Sequence, residues 1–166
     1  PLVILNQVLQ GQVPNAVEST SRFFVNSTVG VFGFIDVATE IGLEETDEDF
    51  GQTFASWGVG DGFYLVLPIF GPSNVRDAVG TALTYTFDPV NAYLIREGEA
   101  WAVPARATAN AVDYRSKIID EVNALRNNSV DYYAAVRSSY YQNRNAAIKN
   151  VDEIELPAPI ISVEFE

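Results

Sequence analysis

The side chains available for chemistry in this chain are carboxylates, guanidiniums and phenols, because it contains no His, no Cys and no Met. Without His there is no Ser-His or Cys-His nucleophile pair, and without His and Cys the usual zinc site cannot be built. Carboxylate pairs, Lys and Tyr are the catalytic options that remain. Asp36, Asp49, Asp61 and Asp77 could supply a carboxylate pair. Each also suits helix capping or simple solvation, and Arg76-Asp77 reads equally well as a local ion pair. Nothing in their spacing requires catalysis, so no catalytic residue, metal ligand or cofactor site is assigned.

A second candidate is the loop Gly58-Val59-Gly60-Asp61-Gly62, behind Trp57, with three glycines in five residues. No Lys follows it, so it is not a P-loop, and its spacing is not that of a dinucleotide fingerprint. It reads either as a tight turn or as a hinge whose backbone freedom is used. The run Phe63 to Phe70 follows directly and is the most apolar stretch of the chain, so a hinge here would swing a greasy arm. A third candidate is Tyr132, Tyr133, Tyr140 and Tyr141 with Arg137 and Arg144. These form one face of the last helix, with rings that pack and Arg heads that reach water. A headgroup or partner site is the alternative reading of that face.

The elements that must hold these residues are helical. Residues 1–10 read as a short apolar helix ended by Gly11, and Pro14 suits the first turn of the next helix, which stops near Gly30. A short helix covers Phe34 to Glu40. The acidic run Glu44 to Asp49 suits a helix start, and Phe50, Phe54 and Trp57 follow on one face. Gly71-Pro72-Ser73 reads as a turn and helix start, and Val75, Ala78, Val79, Ala82 and Leu83 give a helical stripe. Asp88-Pro89 opens another short helix. Pro104 to about Asn127 reads as one long helix, and Ser129 with Asp131 caps a last one running to about Lys149. The expected fold is all-α, with about seven short and medium helices in a single domain over residues 1–150. Residues 151–166, with five acids and two prolines, read as an extended acidic tail.

Charge and hydropathy narrow the partners. Lys plus Arg is 10 and Asp plus Glu is 22, a net charge of −12. Nucleic acid is excluded, since its affinity comes from basic contacts to phosphate, and so is polybasic attachment to anionic lipid. Membrane contact must therefore be apolar. No run approaches the roughly 18 apolar residues of a spanning helix. Ten of the 11 glycines precede residue 81, and ten aromatics crowd between Phe23 and Phe70. Stretches such as Val29 to Ile35 are apolar on all sides, so they must be buried or face lipid or a partner. Residue 1 is Pro and no Met occurs, which suggests a mature fragment whose signal peptide, if any, has been removed.

One stretch carries a resemblance. Arg22-Phe23-Phe24-Val25-Asn26-Ser27-Thr28-Val29-Gly30, then Phe34-Ile35-Asp36-Val37-Ala38, then Asp49-Phe50-Gly51-Gln52-Thr53-Phe54 with Trp57-Gly58-Val59-Gly60, resemble successive signatures of the MlaA/VacJ lipoproteins. Leu67-Pro68, Gly71-Pro72-Ser73, Arg76-Asp77 and Gly80 complete the match in order and spacing, and Asn6 to Gly11 resembles an upstream element. Beyond Gly80 only the helical pattern is similar. The family's lipidated Cys is absent, so anchorage is implied only for the parent protein. The resemblance implies a ring-like helical bundle around an amphipathic channel, in the inner leaflet of the bacterial outer membrane. It implies passive removal of misplaced phospholipid from the outer leaflet, a trimeric porin that holds the protein, and a soluble periplasmic carrier that receives the lipid. Bringing a two-chain lipid into water at about 0.8 kcal/mol per CH₂ costs on the order of 20 kcal/mol, which is the barrier such a channel would lower. Two alternatives stay open. A carboxylate pair at fixed separation would favour a hydrolase, and a filled, solid core would favour a porin-bound scaffold that moves nothing.

Overall fold

Helix starts in this chain are written by short acceptor side chains. Asp36, Asp49, Asn74, Asp88 and Asp131 each accept a hydrogen bond from a backbone N–H two or three residues ahead, which satisfies donors that a first helical turn leaves open. The computed structural model describes residues 1–150; the expected extended tail at 151–166 lies outside the described residues. The elements are α1 (Leu2–Leu9), α2 (Val13–Thr28), α3 (Val37–Glu40), α4 (Phe50–Ser56), β1 (Tyr64–Leu67), β2 (Gly71–Asn74), α5 (Val75–Phe87), α6 (Pro89–Arg96), α7 (Ala102–Lys117), α8 (Ile119–Asn128) and α9 (Tyr132–Lys149). The chain is all-α in class, as expected.

The six helices α4 to α9 close on themselves. Each touches the next in sequence, and α9 returns to pack on α4 and β2, which makes a ring. The helices α1, α2 and α3 attach to it through contacts of α1 with α4. The ring is tightest where α4 crosses α5. A Cβ on Gly80 would strike the Gly51 backbone nitrogen and lie 2.9 Å from its Cα, so the approach requires glycine at position 80.

Several details differ from the sequence reading, each for a local reason. The described residues hold nine helices rather than about seven. The long helix expected over 104–127 breaks at Ile118 into α7 and α8. Just before the break, Ser116 donates its hydroxyl proton to the Asp113 carbonyl (2.7 Å), a local bond that competes with the helical ladder. Gly71-Pro72-Ser73 is not a helix start but the second strand of a hairpin, paired Tyr64 to Asn74 and Leu67 to Gly71. β1 ends at Leu67, before Pro68, the chain turns back through Ile69 and Gly71 at positive φ, and Asn74 rather than Ser73 caps α5. A two-stranded ribbon is all edge, so Pro72 is tolerated in it. Residues 43–49 form no helix before Asp49; Thr46 bonds instead to Gln7 of α1, Glu48 to Gln10, and the Asp47 carbonyl accepts from Gln52 of α4.

The polarity of the body is inverted. Among the described residues, the buried set holds eleven polar or charged residues and three apolar ones, Ala16, Ala38 and Phe50. Large apolar side chains stand outside, including Phe24, Phe32, Phe34, Trp57, Phe63, Ile69 and Trp101. Water-soluble domains bury such groups at roughly 1.5–3 kcal/mol each.

Candidate functional site

Arg144, one turn from the end of α9, ties three elements together. Its Nη1 donates to Asp49 Oδ2 at 2.8 Å and its Nη2 to Asp49 Oδ1 at 2.7 Å, a two-pronged pair. The same Nη2 reaches Asp77 Oδ1 at 3.0 Å, and Nε lies 2.8 Å from Asp77 Oδ2. Asp77 is buried and also accepts from Arg76 Nε (2.9 Å), Asn74 Nδ2 (2.9 Å) and the Tyr140 hydroxyl (2.5 Å). Burial alone would raise its carboxyl, but the bonds from Tyr140 and Arg144 hold it below its ordinary value. The Tyr140 phenol is raised in turn, by burial and by donating to that carboxylate. Arg76 continues the chain of charges, with Nη1 on Asp61 Oδ1 at 2.5 Å and within 3.5 Å of the Val59 carbonyl. A Cβ on Gly51 would strike Arg144 Nη2, so the glycine leaves room for the guanidinium.

A second knot joins α2 to α3. Arg22, nearly buried, reaches both oxygens of Asp36 (3.3 and 3.1 Å), the Thr39 hydroxyl and the Leu43 carbonyl. Asn26 donates to Asp36 (2.8 Å) and accepts from the Ala38 N–H (2.9 Å). Bonds from the Thr39 hydroxyl and Asn26 hold the Asp36 carboxyl far below the ordinary carboxylate range. Gly30 lies under the Ile35 carbonyl, where any Cβ would collide. Thr28 stays outside this knot and bonds back to Phe24 (2.7 Å).

Between these knots runs a polar seam. Thr53, fully buried, donates to Asn6 Oδ1 (2.8 Å); Gln7 donates to Thr46 (2.8 Å); Gln10 donates to Glu48 (2.7 Å). Gln52 reaches the Asp47 carbonyl (3.0 Å), and the Trp57 indole donates to the Leu9 carbonyl (3.1 Å). Burial raises the Glu48 carboxyl above its ordinary value. So α1 presents Asn6 and Gln7 inward, with Gln10 just past its end, not an apolar face as its composition suggests.

The structure therefore brings Asp49, Gly51, Asp61, Arg76 and Asp77 together, and Arg22, Asn26, Gly30 and Asp36 in a separate group. The four candidate carboxylates are all committed to guanidinium partners: Asp49 and Asp77 to Arg144, Asp61 and Asp77 to Arg76, and Asp36 to Arg22. Among the described residues no group of side chains is arranged for a metal ion, and no helix is long and apolar enough to cross a membrane. Arg144 corrects the expectation of a head reaching water, because its place between the buried Asp77 and the partly exposed Asp49 depends on the fold of α4 and α5. Its only sequence signal is its position seven residues after Arg137.

In the glycine loop, Gly58 (φ +87°) and Gly62 (φ +70°) hold conformations other residues resist, while Gly60 has open space around it. Gly62 faces the Val75 side chain, at 3.0 Å from a Cβ placed there. Pro68 sits at the hairpin tip, its carbonyl accepting from the Phe70 N–H (2.8 Å). Two surface cavities accompany this frame. One, about 450 Å³, is a trough along α9 under Tyr133, Arg137 and Tyr141. The other, about 340 Å³, lies between the start of α1 and α2, with Ile4, Phe23 and Phe32 beside Arg22 and Asn26.

Comparison with known proteins agrees with this geometry. A family model described as MlaA lipoprotein matches residues 1–147. An uncharacterized protein of Rickettsia prowazekii is 33% identical over 160 residues, covering 96% of this chain and 62% of that one. The intermembrane phospholipid transport system lipoprotein MlaA of Escherichia coli is 34% identical over 159 residues, covering 93% and 60%; its Haemophilus influenzae counterpart is 31% identical over 146 residues, covering 86% and 56%. The chain thus spans about three-fifths of the length of the curated relatives it matches. A solved chain described under the structural basis for maintenance of bacterial outer membrane lipid asymmetry superposes with a TM-score of 0.74 at 29% identity, over 89% of this chain and 73% of that one. A helical ring, its arginine-clamped signature residues and a match over nearly all the described residues converge on one conclusion: the chain belongs to the MlaA lipoprotein family.

Proposed function

We propose that this chain is the lipid-handling body of a protein that passively removes misplaced phospholipid from the outer leaflet of the bacterial outer membrane. The lipid is handed to a soluble periplasmic carrier, and lipid asymmetry is maintained. The observation that carries the reading is the inverted polarity. A body that buries Asn6, Gln7, Thr53, Arg76 and Asp77 while leaving many Phe, Val, Ile and Trp side chains exposed offers a surface for hydrocarbon beside its charged outer helices α6 to α8. The names of the Escherichia coli and Haemophilus influenzae relatives support the transport role.

In this account the ring of α4 to α9 surrounds an amphipathic channel, and a trimeric porin holds the body in the inner leaflet. The lipid anchor belongs to the full-length protein. The channel sets no direction; the acceptor does. Headgroups cross a polar path while tails keep apolar surroundings, which avoids most of the roughly 0.8 kcal/mol per CH₂ cost of exposure to water. The loop Trp57-Gly58-Val59-Gly60-Asp61-Gly62 acts as the gate, with the hairpin β1–β2 as the moving arm. The Arg76–Asp61 pair is its latch, since it ties the loop to the start of α5. No turnover of lipid accompanies transfer, because the available carboxylates are engaged by arginines.

The test is transfer itself. Protein is reconstituted into vesicles carrying a fluorescent phospholipid, and serum albumin in the outer solution serves as acceptor. Protein-dependent movement of intact lipid to albumin, without nucleotide, is expected. Transfer no faster than in protein-free vesicles, or release of free fatty acid, contradicts the proposal.

A further inference from the structure

The trough along α9 holds a cation that no carboxylate neutralises among the described residues. Arg76, Arg144 and Arg22 are each neutralised by carboxylates. Arg137 has no hydrogen bond or ion pair among the described residues. Instead its guanidinium carbon lies 5.7 Å from the centroid of the Tyr64 ring and 5.9 Å from that of Tyr141. Tyr64, on β1, packs edge-on against Tyr133 and Tyr140 of α9, so the ring platform is held from two elements. Contact with ring faces attracts the cation without consuming its N–H groups, and the planar fork remains available for a two-oxygen anion. Nearby Asp131 already accepts the Ala134 N–H at the start of α9 (3.0 Å).

The surroundings of Arg137 fit one ligand chemistry. Ser138, Gln142 and Asn145 line the same trough; the Gln142 amide donates to the Ser138 oxygen (2.9 Å), which leaves the Ser138 hydroxyl proton and the Asn145 amide as donors, and the Tyr133 and Tyr141 rings give it apolar walls. All of its lining residues lie along one face of α9, so it is an open groove that a headgroup can enter from the side. A net charge of −12 works against capture of a free anion from solution. A phosphate delivered by its own apolar tails needs no long-range attraction. We propose that the Arg137 trough is a docking site for the phosphate of a phospholipid headgroup, with Arg137 as the two-pronged donor and Tyr64 and Tyr141 as the platform that aims it. This site rests on the lipid-handling reading above and adds where the headgroup pauses.

The test uses the full chain in a nonionic detergent, with calorimetry as the readout. The probes are dihexanoylphosphatidylglycerol, uncharged dihexanoylglycerol and inorganic phosphate. Saturable binding of the phosphatidylglycerol is expected, with affinity at least tenfold above that of either other probe, roughly what one charge-assisted bidentate pair supplies. Arg137→Gln is expected to remove that preference, and Arg137→Lys to recover it only in part. Both variants should keep wild-type helicity, because Arg137 is exposed and caps nothing. Equal binding of dihexanoylglycerol, or unchanged binding in a folded Arg137→Gln chain, overturns the site. Equally tight inorganic phosphate overturns the headgroup assignment in favour of free anion. A wild-type chain that moves lipid between vesicles but shows no phosphate-dependent binding overturns this site and leaves the transport reading standing.

Discussion

Arg144 and Asp49 lie 95 residues apart in sequence and form a two-pronged ion pair, with N–O distances of 2.8 and 2.7 Å. The pair joins α9 to the first turn of α4. Because Asp49 also caps α4 through the Gln52 N–H (2.9 Å), one carboxylate both starts a helix and closes the ring. Asp77 does the same work one element later, at the start of α5.

Removing one partner from this cluster takes bonds from a buried charge but leaves it paired, since Asp77 keeps Arg76 and Arg144 keeps Asp49. Arg144→Gln or Asp77→Asn is expected to lower stability by roughly 1–3 kcal/mol. Arg144→Lys should rescue little, since a single ammonium cannot span both carboxylates. Unfolding in detergent, followed by circular dichroism, measures both.

The α4–α5 crossing makes a steric prediction. Gly80→Ala places a methyl against the Gly51 backbone and is expected to cost about 1–3 kcal/mol or more. Gly60→Ala, with nothing within 4 Å, should change stability by less than about 0.5 kcal/mol. Thermal unfolding of the two side by side separates packing from mere loss of glycine.

Much of this frame is legible in the sequence because its signals are local. Asp36, Asp49, Asp88 and Asp131 precede apolar helical runs, and each is an N-cap in the fold. The Gly51 and Gly80 positions stand in matched signatures, and the fold gives each a contact no side chain would fit. What is not legible depends on partners far along the chain. The sequence does not reveal that Arg144 leaves its solvent face for two carboxylates, or that α1 turns Asn6 and Gln7 inward under an apolar name. Periodicity assumes that apolar means inside, and here burial and polarity run together. The β1–β2 hairpin escaped for another reason. Eight apolar residues ending in Gly-Pro carry both a helical and an extended reading, and the turn at Pro68 to Phe70 decides it.

Acid should act in two opposite steps. Burial raises Glu48 above its ordinary value of 4.5, so the folded chain takes up that proton before the unfolded one. The cost of burying its charge is present at neutral pH and is relieved as pH falls toward 4.5. Asp77 is held below its ordinary value of 3.8, so its contribution persists above that pH and is lost as pH falls through 3.8 toward the folded value. Stability in detergent is expected to rise slightly on mild acidification and then fall below about pH 4. Glu48→Gln should abolish the rise and keep the fall.

The gate can be separated from a fixed turn at one residue. Gly58 and Gly62 are unsuitable for substitution, since both sit at positive φ and Gly62 also abuts Val75. Gly60→Val restricts the backbone at the one loop glycine with open space. At matched folded concentration, slower lipid transfer to albumin is expected with helicity unchanged. Normal transfer would leave the loop a simple connection.

In the proposed function, the apolar side chains outside this ring lie in hydrocarbon. Phe32 and Phe34, each 89% exposed on the loop after α2, report on it directly. With Trp57 and Trp101 changed to Phe, a single Trp is placed at residue 34 and the protein is reconstituted into vesicles. Its fluorescence is then quenched either by lipids brominated along the acyl chain or by aqueous acrylamide. A blue-shifted emission, strong quenching by the brominated chains and little by acrylamide are expected. Emission typical of water, with acrylamide quenching and no response to brominated lipid, would contradict that placement.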